Sequence, residues 1–320
     1  MAEYINIRGQ SIEVVASDPA NPTIGQIWYN STSNTLKGGG VTTVGAWATG
    51  GNLNTARSSS AGAGTQTESL AFGGVTTVPV GATEEYNGTS WTNSNSLNTS
   101  RRNVGGAGTQ TAGLAFGGRP PDTGATEEYG GVSWVTSNPL NTARNGLAGA
   151  GTQTAALAFG GTPPVTGATE EYNGTSWTNS NSLNTARRNL AGAGTQTEAL
   201  ASAGFSTAAT GATEEYNGTS WTSVNSMNTA RYDLAGAGIQ TSAVVFGGST
   251  GTANSAATEE YDGTSWVTSP VSLNTARLEI AGCGTQTVAL GFGGNDGAVT
   301  AATEEWTGPG APLTKTITAS

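Results

Sequence analysis

"ATEEYNGTSW" at 82–91 recurs as "ATEEYGGVSW" at 125–134, as "ATEEYNGTSW" at 168–177 and 212–221, and as "ATEEYDGTSW" at 257–266. A sixth copy, "ATEEW" at 302–306, stops before its "SW". A second word, "NTAR", ends at Arg57, Arg101 (as "NTSR"), Arg144, Arg187, Arg231 and Arg277, at intervals of 43 to 46 residues. Such a period marks a supersecondary unit that buries its apolar face only by stacking on its neighbours. Both words count six units.

Within a unit, alternation and turn residues predict four strands. Strand A follows the arginine, as in "RNLAGAG" at 188–194, and strand B is "EALAS" at 198–202 or "GLAFGG" at 113–118. Strand C is "TEEY", and strand D is "SWT" or "SWV". The Asn-Gly or Asp-Gly between C and D favours the positive φ angles of tight hairpins, so each unit reads as an antiparallel meander.

The repeat region opens with "GAW" at 45–47, a D-type strand lacking A, B and C, and ends with A, B and C of the sixth unit at Trp306. The two fragments add up to one complete unit. The expected fold is therefore an all-β, six-bladed β-propeller of four-stranded antiparallel blades over residues 45–306. Its ring is closed by the N-terminal D strand pairing with the C-terminal blade, which removes open sheet edges. Residues 1–44 are expected to form a short N-terminal β arm for attachment. There "YINIRGQSIEVV" at 4–15 reads as strand, "SDPANPT" at 17–23 as a Pro-bearing link, and the "IWYN" segment as a hairpin. Residues 307–320 are read as a C-terminal tail.

Composition narrows the function. The 320 residues carry a net charge of −10, which argues against a nucleic-acid partner, because phosphate binding needs a basic patch. It also disfavours anionic lipid. No run approaches the ~18 apolar residues of a membrane span, so no membrane insertion is expected, and the N-terminus has no apolar signal-peptide core. With no His and the single Cys283, the chain offers neither a disulfide framework, nor a zinc cluster, nor a His base for a Ser nucleophile. No metal and no cofactor are expected, and the chain reads as non-enzymatic.

The paired acids invite comparison with glycoside hydrolysis, where two carboxylates divide the work. Adjacent residues on a strand point to opposite faces, however, so Glu84 and Glu85 cannot face each other across one bond. One Glu per unit is expected to pair with an "NTAR" arginine and lock C to A or blade to blade. Trp47, Trp91, Trp134, Trp177, Trp221 and Trp266, one per unit in the same register, read as packing rather than sugar platforms. The glycosylation-like triplets at Asn30, Asn87, Asn98, Asn173 and Asn217 read mainly as turn chemistry.

Where the copies disagree is the better guide to binding. The B–C loops differ, from "VTTVPVG" at 75–81 to "RPPDTG" at 119–124 and "NDGAVTA" at 295–301, and so do the two residues after each arginine. B–C and D–A connections open on the same end of such a unit, and rigid scaffolds carry recognition on loops. Arg102, Arg119, Asp122, Arg188, Tyr232, Asp233, Glu279 and Asp296 are the candidate binding residues on that face.

The double glycine after an apolar run ("AFGG" at 71–74, 115–118 and 158–161, "VFGG" at 245–248, "GFGG" at 291–294), followed by Tyr, Trp and Arg, resembles the kelch repeat. The period is shorter than the kelch period of about 50 residues, and one unit has "ASAG" at 201–204. The wording "ATEEYNGTSW", "LNTAR" and "AGAGTQT", with "GQIWYNSTSNTLKGG" at 25–39, resembles tail-fibre-like virion structural proteins of bacteriophages, especially marine ones. That resemblance implies location in the virion at tail or fibre and contact with other virion proteins through the N-terminal arm. It also implies a host-surface glycan or protein as ligand, and a homo-oligomer fits the arm. A purely structural capsid or tail decoration is the second expectation, and a glycan depolymerase a distant third.

Overall fold

Each "TEEY" is a strand because its four side chains have four different places to go, and that division sets the whole architecture. The computed structural model describes residues 12–19, 26–41, 44–310 and 312–317. Residues 46–306 form one compact unit, and the flanking segments 1–45 and 307–320 form another.

In the larger unit six four-stranded antiparallel sheets follow one another as a propeller-like repeat, and no helix occurs among the described residues. Sheet I comprises strands A to D at Ala61–Gly64, Ser69–Phe72, Thr83–Tyr86 and Trp91–Ser94. Sheet II has Gly105–Gly108, Gly113–Phe116, Thr126–Tyr129 and Trp134–Ser137. Sheet III has Ala148–Gly151, Ala156–Phe159, Thr169–Tyr172 and Trp177–Ser180. Sheet IV has Ala191–Gly194, Ala199–Ser202, Thr213–Tyr216 and Trp221–Val224. Sheet V has Ala235–Ile239, Ser242–Phe246, Thr258–Tyr261 and Trp266–Thr268. Sheet VI takes A, B and C from Ala281–Gly284, Val288–Phe292 and Thr303–Thr307, and its fourth strand is Ala46–Thr49. The missing end of the sixth copy is thus supplied from the front of the repeat region.

The Gly-Ala alternation of the A strands follows from crowding. A Cβ on Gly149 would lie 2.4 Å from the carbonyl oxygen of Gly106, so neighbouring A strands approach too closely for any side chain there. Residues of all six A strands line common cavities of about 180 and 140 Å³. The B strands, such as Leu70–Phe72 and Leu157–Phe159, are fully buried on both faces.

Neighbouring sheets are tied by the same three contacts, repeated. The D-strand Trp donates through Nε1 to the "TEEY" threonine of the preceding sheet: Trp91 to Thr303, Trp134 to Thr83, Trp177 to Thr126, Trp221 to Thr169, Trp266 to Thr213 and Trp47 to Thr258, at 2.9–3.0 Å. The tyrosine hydroxyl donates to the second glutamate of the preceding sheet, as Tyr86 to Glu305 at 2.6 Å and Tyr261 to Glu215 at 2.8 Å. The glutamine after each A strand reaches two carbonyls of the preceding sheet, as Gln66 to Ala289 and Trp306. One unit departs from this pattern, and another from the aromatic packing beside it. Trp306 stands where the other five sheets have Tyr, so it has no hydroxyl to offer Glu260. Ser202 replaces the B-strand Phe that packs edge-on against Trp in other sheets, such as Phe72 on Trp134.

A seventh sheet, beyond the six of the repeat region, lies in the smaller unit. Glu13–Val15 pairs in parallel with Ile27–Asn30, which forms a hairpin with Thr35–Val41. Pro312–Thr316 adds antiparallel to Thr35–Val41. Part of the segment read as a tail therefore completes the arm's sheet. Asp18 organises this unit, accepting from Trp28 Nε1 at 3.0 Å and Asn30 Nδ2 at 2.7 Å; these bonds hold its carboxyl below the ordinary range. Residues 4–11 of the expected first strand and 20–23 of the expected link lie outside the described residues.

Candidate functional site

The first glutamate of each "TEEY" is committed to the scaffold. Arg57 pairs with Glu84 at 2.5 Å, Arg101 with Glu127 at 2.5 Å, Arg231 with Glu259 at 2.8 Å and Arg277 with Glu304 at 2.5 Å, and Arg144 and Arg187 pair likewise with Glu170 and Glu214. All twelve side chains are almost fully buried. The "NT" of "NTAR" completes each cage: the Asn54 N–H donates to Glu84 Oε2 at 2.6 Å and Asn54 Nδ2 to the Trp91 carbonyl at 2.9 Å. Burial lowers the pKa of Arg57, Arg101, Arg187 and Arg231 while the paired carboxylates raise it. Charges so enclosed are unreachable by a ligand.

The asparagines of the C–D turns are also engaged. Asn87 Oδ1 accepts from the Thr89 and Ser90 N–H groups, and Asp262 Oδ1 does the same in sheet V for Thr264 and Ser265. This is the side-chain turn that Asn and Asp favour.

At the opposite end, each residue after the arginine bridges to the first residue of its own B–C loop: Ser58 to Val75, Arg102 to Arg119, Asn145 to Thr162, Arg188 to Phe205, Tyr232 to Ser249 and Leu278 to Asn295. The D–A connections and B–C loops therefore share one face. Arg102 and Arg119 exchange both backbone hydrogen bonds, at 2.9 and 3.0 Å, so their side chains leave the same side of the ribbon. Arg188 lies over the Phe205 ring at 5.1 Å, and Tyr232 meets Phe205 edge-on at 5.2 Å. Asp122 accepts from Asn145 Nδ2 at 2.6 Å. Asp296 stays on its own exposed loop, capping the Ala298 N–H at 3.3 Å.

The next residue along builds the centre of this face. Ser59, Asn103, Gly146, Asn189, Asp233 and Glu279 all have φ between 53° and 61°. Each donates its N–H to the carbonyl of the next in a closed cycle: Ser59 to Glu279, Glu279 to Asp233, Asp233 to Asn189, Asn189 to Gly146, Gly146 to Asn103 and Asn103 to Ser59, at 2.7–3.0 Å. Together with Ser60, Val104, Leu147, Leu190, Leu234 and Ile280 they line a cavity of about 110 Å³. Gly146 is needed there, since a Cβ would meet Asn189 Oδ1 at 2.3 Å.

Of the sequence candidates, Asp233 and Glu279 enter this ring, with Arg188 and Tyr232 immediately beside it. Asn189 Nδ2 donates to Asp233 Oδ1 at 2.6 Å, and Ser58 Oγ to Glu279 Oε2 at 2.6 Å. Burial first, and then the charge of Glu279, push Asp233 up to about 7, against the lowering effect of Asn189 and Arg188. Ser59, Asn103 and Asn189 fall among the variable residues after the arginine, but neither they nor Phe205 stood among the named binding candidates. Their only signal was position, two residues after the repeated arginine or first in a variable loop. Among the described residues no three His, Cys, Asp or Glu side chains cluster in a way that could hold a metal ion. No helix among them is long and apolar enough to cross a membrane. No family model matches the chain, and no curated protein matches it.

Proposed function

We propose that the six sheets are the blades of a six-bladed, kelch-like propeller closed by Ala46–Thr49, and that the chain is a non-enzymatic bacteriophage virion protein of the tail or fibre. Its loop face binds a host-surface glycan or protein, and the segment before residue 46 joins other virion proteins or further copies of the chain. The observation that carries this reading is the division of labour within each repeat. Thr, the first Glu, Tyr, Trp, Gln and Arg of the repeated words, and the second Glu in five of the six copies, are consumed by contacts between and within sheets, whereas the residues that differ between copies meet on one face. The Arg188, Phe205 and Tyr232 cluster beside the polar ring supplies aromatic surface and free hydrogen-bond donors, a combination suited to carbohydrate. Several weak contacts on a multi-copy fibre give avidity without a deep pocket.

Immunogold labelling of intact particles tests the placement: label at the tail or fibre is expected, and absence from particles contradicts it. Excess soluble protein should then block adsorption to host cells. Labelled particles whose adsorption is unaffected would instead favour a decoration protein.

A further inference from the structure

The polar ring at the centre of the loop face holds more oxygen than the fold uses. Reading around the cycle, Ser59, Glu279, Asp233 and Asn189 are four successive members, so their side chains form one arc; Asn103 and Gly146 complete the circle. Ser59 is only 8% exposed, and its Oγ makes no hydrogen bond within the protein. Asn189 Oδ1 and Ser60 Oγ are buried and unpartnered as well. Among the described residues, every buried side-chain oxygen lacking a partner lines this one cavity. A buried polar atom without a partner is costly, so Ser59 Oγ and Asn189 Oδ1, both on this arc, call for a common explanation.

The carboxylates sharpen it. Asp233 and Glu279 are adjacent in the ring, and each has one oxygen bonded, to Asn189 and Ser58 respectively. The other two oxygens, Asp233 Oδ2 and Glu279 Oε1, make no hydrogen bond within the protein and are not among its enclosed atoms. Arg188 is the cation felt by Asp233, yet it lies over the Phe205 ring and forms no ion pair with either acid. The remaining donor set is oxygen only: two carboxylates, one amide carbonyl and one hydroxyl. A polyol would satisfy the hydrogen bonds but bring no counter-charge to the two acids. A hard divalent cation satisfies both requirements, since calcium takes carboxylate, amide and hydroxyl oxygens together with water.

We infer that Asp233, Glu279, Asn189 and Ser59 form a calcium-class cation site at the centre of the loop face. The cavity of about 110 Å³ has room for the ion and several bound waters. The sequence reading, which expected no metal, could not see this site, because its ligands come from four different repeats.

The test is thermal unfolding and calorimetric titration of the full chain with CaCl2 and with MgCl2 at constant ionic strength. Calcium should raise the Tm in a saturable way, more effectively than magnesium. Asp233→Asn and Glu279→Asn place at these positions the residue that the ring already uses at 103 and 189, so the fold tolerates them. Each should weaken calcium binding at least tenfold, and each should unfold at or above the wild-type Tm without calcium, because a like charge is gone. Ser59→Ala should weaken binding about threefold, and Glu198→Gln, on the opposite end, should bind as wild type. A wild-type chain that takes up no calcium, or an Asp233→Asn chain that binds it undiminished, overturns the assignment. Neither outcome depends on whether the loop face binds a glycan.

Discussion

The indole Nε1 of Trp47 donates to Thr258 Oγ1 at 2.9 Å, across 211 residues of sequence. Trp47 also packs edge-on against Phe246 at 4.8 Å and beside Trp306 at 5.3 Å, so one side chain from the first strand of the unit touches both of its last two sheets. Replacing a buried Trp by Ala costs about 3–5 kcal/mol. Trp47→Ala should lower the stability of the whole unit by that amount in a single transition, measured by urea unfolding followed by circular dichroism. Loss of signal confined to sheet VI would show that the six sheets do not unfold together.

The buried ion pairs make a contrasting prediction. Glu127 neutralises Arg101 and also accepts the Asn98 N–H at 2.6 Å. Glu127→Gln leaves the guanidinium buried without its anion, and removing one partner of such a pair costs about 3–5 kcal/mol. The double replacement Arg101→Met with Glu127→Leu should cost less than the single one, because no unpaired charge remains. Urea midpoints of the three variants check the order.

Five tyrosines report on the contacts between sheets. Burial, reinforced by the hydrogen bond to a glutamate of the preceding sheet, pushes Tyr86, Tyr129, Tyr172 and Tyr216 up to about 12 and raises Tyr261 as well. A folded-state pKa above the unfolded value of 10.0 means stability that is complete below pH 10 and lost as pH climbs through about 12. Ultraviolet titration should therefore show these hydroxyls ionising late and together, with unfolding.

Asp233 acts in the same direction at lower pH. Its folded pKa of about 7 lies above the ordinary 3.8, so the native state holds an extra proton between those values, and stability falls as pH rises from about 4 to 7. The groups facing it are Glu279, Asn189 and Arg188. In the absence of calcium, Asp233→Asn should flatten that part of the pH–stability curve, a change on the order of 2 kcal/mol after screening at the open cavity. An unchanged slope would remove Asp233 from the account.

How much of this was legible in the sequence depends on where each partner lies. The strands, the hairpin turns and the origin of the sixth D strand could be read, because period and turn residues are local signals. Arg57 with Glu84 was within reach, since both words recur in step. The link from Tyr129 to Glu85 was not, because its partner sits one repeat away and strand pattern alone does not say which sheet a hydroxyl meets. The ring from Ser59 to Glu279 was hidden for a different reason. Its members share a backbone conformation rather than a residue type, and Ser, Asn, Gly, Asp and Glu have little else in common. The strand Pro312–Thr316 carries no turn or alternation signal of its own and exists through pairing with Thr35–Val41.

The central claim is that the repeated words build the scaffold and the disagreeing loops bind. It is tested most directly by the retention of labelled protein on an array of bacterial surface polysaccharides. Wild type would be compared with Arg188→Ala/Tyr232→Ala on the loop face and with Asn87→Gly/Asn173→Gly in turns of the other end, all matched for far-ultraviolet circular dichroism. The account predicts binding by wild type and by the turn variant, and at least a tenfold loss in the loop-face variant. Equal retention of all three proteins, or loss confined to the turn variant, would contradict it.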